Sequence, residues 1–219
     1  MLLERERTLV VRYARRLRAD GLAVATAGNL SLRVRGLTAI TPTSVDYDDL
    51  APGEIAVVNE IGVPVDGARH PSSELPMHLA AYEATGAGAV VHTHSPFATA
   101  LATAGVALPP VHYLAADLGG WVRIAPYATF GSDELAESVA ATLAGRTAVL
   151  LERHGALTVG ETLEQAYDRA LVLEWLAGVY VRASALGTPV ALDDSEVERV
   201  SERLEELRDD RRSFGPLAC

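Results

Sequence analysis

The run Ala89-Val90-Val91-His92-Thr93-His94 closes an apolar stretch on two histidines separated by one residue. Such a run reads as a buried strand. Alternate strand side chains share a face, so His92 and His94 point the same way while Thr93 points away. Two imidazoles on one face are half of a metal site. A second run of the same shape, Ala148-Val149-Leu150-Leu151-Glu152-Arg153-His154-Gly155, can deliver a third nitrogen from His154. Three protein ligands with an open fourth position is the arrangement of a catalytic zinc. Unrelated strand-end histidines would give the same spacing, so the residues around them decide.

Three clusters of small polar residues precede the histidines: Thr26-Ala27-Gly28-Asn29, Thr41-Pro42-Thr43-Ser44 and Pro71-Ser72-Ser73-Glu74. Each offers backbone N–H groups and hydroxyls with little bulk, and the last stands at a predicted helix start, where free N–H groups attract anions. Together they can cradle a phosphate; singly, each is also an ordinary turn or cap. Glu74 is either a plain helix-start residue or a general base beside the metal. His78 lies one helical turn later, where it either faces the same site or packs as a core histidine. His70 and His112 have no partner in the sequence pattern.

The elements that must position these groups are legible as periodicity. Leu9, Val10, Tyr13, Ala14 and Leu17 form a helical stripe within residues 3–20, closed by Gly21. From Leu22 to Val65 the pattern turns short and β-like, with runs such as 30–34, 37–40 and 55–58. Helices are expected from 73 to about 85, from 96 to 104, and from Ser132 onward, with Asp133 and Glu134 in the first turn. Thr162-Leu163-Glu164-Gln165 is a capping box opening a helix to about Ala185, and Ser195 opens the last helix. No linker or repeat interrupts the pattern. The expectation is a single α/β domain over residues 1–219, with a mixed, largely antiparallel sheet covered by helices on both faces.

Composition narrows the chemistry. All 19 basic residues are arginine. Without a lysine the chain cannot form a Schiff base with a ketone, so any bond breaking next to a carbonyl needs a metal to take the electrons. The net charge of −10 and the lack of a basic stripe argue against nucleic acid as partner. No apolar stretch is long enough to span a bilayer and the start is charged, so a cytoplasmic protein with no membrane partner is expected. The one cysteine, Cys219, excludes a disulfide framework and a thiolate metal site.

Ordered blocks along the chain resemble the zinc-dependent class II aldolase/adducin family. They are Thr26-Ala27-Gly28-Asn29-Leu30-Ser31, Ile40-Thr41-Pro42-Thr43, Pro71-Ser72-Ser73-Glu74, His78-Leu79-Ala80-Ala81-Tyr82, Val90-Val91-His92-Thr93-His94, His112-Tyr113, Ala125-Pro126-Tyr127-Ala128-Thr129-Phe130-Gly131 and Leu150-Leu151-Glu152-Arg153-His154-Gly155. The resemblance implies that His92, His94 and His154 bind one zinc per subunit and that Glu74 is the acid/base. It implies a phosphate site at Gly28, Asn29, Thr43, Ser44, Ser72 and Ser73. It also implies that Tyr113 enters the active site of a neighbouring subunit in a four-fold symmetric homotetramer. The implied reaction splits a ketose 1-phosphate, L-fuculose 1-phosphate being favoured, into dihydroxyacetone phosphate and an aldehyde such as L-lactaldehyde. Other activities of the family are the alternatives: 5-deoxyribulose-1-phosphate aldolase, ribulose-5-phosphate 4-epimerase, methylthioribulose-1-phosphate dehydratase, or an adducin-like interaction module without chemistry. Glu74 favours aldolase over epimerase, where aspartate is usual nearby. Two positions depart from the pattern: Ser44 replaces a glycine, and Phe214 replaces a tyrosine that can donate to the aldehyde half.

Overall fold

The computed structural model describes residues 1–214, with side chains as far as Arg208; the side chain of Phe214, and Cys219, lie outside the described residues. An eight-stranded sheet runs in the order β4-β3-β2-β1-β5-β8-β7-β6. Its strands are β1 Asn29–Val34, β2 Leu37–Ile40, β3 Ala56–Asn59, β4 Pro64–Asp66, β5 Ala89–Thr93, β6 Ile124–Ala125, β7 Ala148–Leu151 and β8 Gly155–Gly160. Only β6 and β7 pair in parallel; the other pairings are antiparallel. The sheet is therefore mixed and largely antiparallel, as expected.

Helices cover both faces: α1 Glu4–Ala19, α2 Leu75–Thr85, α3 Pro96–Ala104, α4 Asp133–Leu143, α5 Leu163–Leu186 and α6 Asp194–Phe214. The alternation along β5 assigns the layers. Ala89 and Val91 pack with α1 and α5, while Val90 packs with Met77, Ala81 and Tyr82 of α2 and with α4. A third cluster joins α3 and α5 to Ala148, Leu150 and Ala156. No described helix is long and apolar enough to cross a membrane.

The helix starts follow capping chemistry, with two adjustments. Ser132 accepts from the N–H of Leu135, and Thr162 accepts from that of Gln165. The Gln165 side chain, however, accepts from Glu161 N–H rather than from Thr162, so the box closes one residue early. The last helix is capped by Asp193, whose carboxylate accepts from Glu196 N–H and from the Ser195 hydroxyl. Ser195 therefore supports the cap rather than supplying it.

Candidate metal centre

Strand register brings the first donors together. In the β1–β5 ladder Asn29 lies opposite His92, and residues directly opposite share a face. His92 is fully buried in β5, and His94 follows on the same face just past the strand end. Gly28, at φ +84°, lets the chain pass so close to β5 that a side chain there would stand 3.0 Å from the His92 carbonyl. His154 sits in the three-residue loop joining β7 to β8, where Arg153 adopts the left-handed conformation common in such hairpins. Gly155 is required beside it, because a Cβ would lie 2.3 Å from the Thr93 carbonyl oxygen.

The three imidazole rings stand 4.7, 4.8 and 5.0 Å apart, centroid to centroid. Glu74 closes the group. It precedes α2 at the cap position, yet its side chain makes no cap bond. The carboxylate turns inward instead, with Oε2 3.2 Å from His92 Nε2 and Oε1 3.1 Å from His154 Nε2. One potential ligand atom from each of Glu74, His92, His94 and His154 lies within 4.8 Å of the others.

This donor set fits a divalent cation. In neutral His92 the Nδ1–H donates to the Ala156 carbonyl at 2.9 Å, which leaves the Nε2 lone pair aimed into the cluster. That lone pair faces His94 Nε2 at 2.9 Å and a carboxylate oxygen, groups that repel unless a positive charge sits among them. Oε1 of Glu74 is buried without a hydrogen-bond partner. A tetrahedral ion with bonds of about 2.0–2.1 Å has ligand–ligand edges of about 3.3 Å, close to these separations.

Electrostatics point the same way. Burial pushes the Glu74 carboxyl up, but His92 and His154 outweigh it and hold it below the usual carboxylate range. Burial favours neutral His92, yet the Glu74 carboxylate raises its pKa overall. Burial, with His92 and His154 nearby, lowers His94 to about 3, leaving it neutral and able to ligate at pH 7.

Burial and then His92 also lower His78 to about 3. An unfolded histidine titrates near 6.5. Between those values the unfolded chain holds a proton that the folded chain refuses, so stability falls as pH drops below about 6.5. By pH 5 the loss from this one group is on the order of 2 kcal/mol. The urea midpoint of metal-free protein should thus fall more steeply from pH 7 to pH 5 in wild type than in His78→Gln. Equal slopes would show that His78 carries no such penalty.

Beside the four donors opens a cavity of about 340 Å³ lined by Gly28, Asn29, Thr43, Ser44, Ser72 and Ser73, with Glu74, His94 and His154 at its floor. Backbone bonds stitch the second and third small-residue clusters together: Ser72 N–H donates to the Thr41 carbonyl and Thr43 N–H to that of His70. The Ser72 hydroxyl accepts from Glu74 N–H. Asn29 lines the cavity, but its amide is committed on both sides, to Glu74 and to His78.

Ser44 has φ +56°, the left-handed region where glycine is least strained. It is exposed, and its hydroxyl stands 3.5 Å from that of Thr43. Ser44→Gly should raise stability by up to about 1 kcal/mol, read from the urea midpoint, because a side chain in this conformation costs about that much. A loss of stability would mean that the Ser44 hydroxyl contributes more than its strain removes.

Tyr113 is not brought to this cavity. It begins a 3₁₀ segment, Tyr113–Leu118, is 53% exposed, and lines a separate groove along α6. His112 caps that segment by accepting from Leu114 N–H, packs its ring against Tyr113, and meets Trp175 edge to face. Four large side chains of the cavity had no role assigned from the sequence: Tyr47, Tyr127, Phe130 and Arg153. The Tyr47 hydroxyl donates to the Gly28 carbonyl, and burial pushes its pKa up to about 12. Phe130, 66% exposed, and Tyr127, with the Arg153 guanidinium 4.9 Å from its ring centre, stand at the mouth. The signal for these two lay in the Ala125–Gly131 block, and Arg153 adjoins a histidine already singled out. Nothing local marks Tyr47.

The chain matches the Class II Aldolase and Adducin N-terminal domain family over residues 8–181. It is 38% identical over 208 residues to the 5-deoxy-D-ribulose 1-phosphate aldolase of Bacillus thuringiensis serovar kurstaki, covering 94% of this chain and 98% of that one. It is 40% identical over 186 residues to the L-fuculose phosphate aldolase of Escherichia coli K12, covering 84% and 86%. A solved structure titled L-fuculose 1-phosphate aldolase superposes with a TM-score of 0.91 at 37% identity, over 94% of this chain and 98% of that one.

Proposed function

Because the chain belongs to the class II aldolase and adducin N-terminal domain family, we propose that it is a metal-dependent aldolase releasing dihydroxyacetone phosphate from a 1-phosphorylated deoxyketose. The observation that carries this reading is the convergence of Glu74, His92, His94 and His154, three of which (Glu74, His94 and His154) line a cavity rimmed by small polar residues. A divalent ion held by the three histidines, zinc being favoured, would polarise the ketose carbonyl and stabilise the charge left when the C3–C4 bond breaks. The chain supplies the rest. Backbone N–H groups and hydroxyls around Gly28, Thr43, Ser44, Ser72 and Ser73 hold the phosphate and fix the three-carbon half in place. Glu74 carries the proton to C3 in cleavage and removes it in synthesis.

Two substrates share that half and differ in the aldehyde. 5-Deoxy-D-ribulose 1-phosphate is supported by the Bacillus thuringiensis relative. L-Fuculose 1-phosphate is supported by the Escherichia coli relative and by the structure at TM-score 0.91. We take the first as the primary substrate, since the curated relative named for it aligns over more of the chain. An assay coupled to dihydroxyacetone phosphate, run on both sugars and on ribulose 5-phosphate, decides. Release from either ketose 1-phosphate supports the reading, and the higher kcat/KM ranks the two. Epimerisation of ribulose 5-phosphate with no release from either sugar overturns it.

Tyr113 lies away from its own subunit's cavity, which agrees with a role in a neighbour's site and with a homotetramer. It follows the rigid Pro109-Pro110 entry. In that neighbour it handles the C4 oxygen as the bond breaks. Tyr113→Phe and Glu74→Gln homotetramers should each be nearly inactive, while co-assembled hybrids contain some sites with both residues wild type and regain part of the rate. Verified hybrids as inactive as their parents would exclude action between subunits.

A further inference from the structure

Every second residue at the start of β1 is polar within an apolar strand: Asn29, Ser31 and Arg33 alternate with Leu30, Leu32 and Val34. Every fourth residue from Glu74 along α2 is also polar: Glu74, His78 and Tyr82. Two strand residues advance about 6.6 Å and four helix residues about 6 Å, so the two series keep step. They interleave into one buried chain of contacts. Asn29 Nδ2 lies 2.8 Å from Glu74 Oε2, and Asn29 Oδ1 lies 2.5 Å from His78 Nε2. His78 Nδ1 lies 2.7 Å from Ser31 Oγ, which lies 2.6 Å from the Tyr82 hydroxyl. Ser31, His78 and Tyr82 are fully buried, and Asn29 and Glu74 nearly so. The outer end is closed by Arg33, which sits over the Tyr82 ring and pairs with Glu83.

Donor and acceptor roles run in one direction. Ionised Glu74 only accepts, so Asn29 must present its NH₂ to it and its carbonyl oxygen to His78. His78 must then carry its proton on Nε2, leaving Nδ1 to accept from the Ser31 hydroxyl, which accepts in turn from Tyr82.

We propose that His78 is a positioning residue for Glu74: backed by Ser31 and Tyr82, it locks the Asn29 amide so that Oε2 is committed and Oε1 is the carboxylate oxygen free for proton transfer. Oε1 takes no bond from Asn29 and faces His154 Nε2 at 3.1 Å. The proposal rests on Glu74 being the acid/base. Without the His78 donor the Asn29 amide loses its orientation, and with it the hold on the carboxylate, while the Thr43–Ser44 and Ser72–Ser73 loops and the metal ligands are untouched.

The test reads solvent exchange of the dihydroxyacetone phosphate methylene proton, affinity for dihydroxyacetone phosphate, and bound zinc per chain, on the purified holoenzyme. His78→Leu should slow exchange about 10- to 100-fold, the range for a hydrogen bond serving a charged group. Affinity and zinc content should stay within about threefold. His78→Gln, whose amide can reach the Nε2 position, should recover at least about tenfold over His78→Leu. Tyr82→Phe, which removes only the terminal hydroxyl, should slow exchange about two- to fivefold and keeps the proposal testable if His78→Leu does not fold. In an Asn29→Ala background His78→Leu should cost almost nothing more, because residues acting through one another are not additive. The ¹⁵N spectrum of metal-free protein should show His78 as the Nε2–H tautomer. Wild-type exchange in His78→Leu, full additivity with Asn29→Ala, or the Nδ1–H tautomer would each overturn the proposal. If Glu74→Gln itself keeps wild-type exchange, the assignment of Glu74 fails instead, which separates the two outcomes.

Discussion

Glu74→Gln should lower turnover about 10²- to 10⁴-fold, the range supplied by a positioned acid/base, and abolish exchange of the dihydroxyacetone phosphate methylene proton. The amide keeps the shape, and its oxygen can still accept from Asn29, as Oε2 now does at 2.8 Å. What disappears is the proton-carrying oxygen that lies 3.1 Å from His154 Nε2 without a hydrogen bond. Phosphate binding uses other atoms, so affinity for dihydroxyacetone phosphate should survive. Exchange at the wild-type rate in Glu74→Gln would reduce this residue to a helix-start carboxylate.

Removing any one imidazole should have an effect of similar size for a different reason. His92→Ala, His94→Ala and His154→Ala each leave two nitrogens for an ion that needs three, so bound metal per chain and turnover should fall together. His92→Ala should be the most severe. It also removes the bond that the Ala156 carbonyl accepts from His92 Nδ1 inside the core. Metal content measured by mass spectrometry after dialysis checks this, and full occupancy in all three variants would remove them as ligands.

Local chemistry was the legible part of this chain. The His-Thr-His alternation at a strand end placed His92 and His94 on one face, and the strand leading to His154 was visible as a second β-run. Ser132 and Thr162 marked their helices correctly because capping depends on a few adjacent residues. Short β4 was missed; its three residues begin with Pro64 and are largely exposed, so they carry no apolar alternation. What depends on register between distant elements was hidden. The interleaving of Asn29 and Ser31 with Glu74, His78 and Tyr82 requires knowing that α2 packs across β1, about 45 residues away in sequence. The left-handed backbone at Ser44 was masked by its residue type, since serine does not announce a positive φ. Tyr113 lies on a groove along α6, away from this chain's own cavity, and its proposed role needs a second copy of the chain.

Metal removal and return test the central claim most directly. Protein stripped with a chelator and titrated with zinc should release dihydroxyacetone phosphate from 5-deoxy-D-ribulose 1-phosphate or L-fuculose 1-phosphate in proportion to bound zinc. The rate should break to a plateau at about one ion per chain, the capacity of a single three-histidine site. Release at an unchanged rate from fully stripped protein, or no release at full occupancy, would contradict the account.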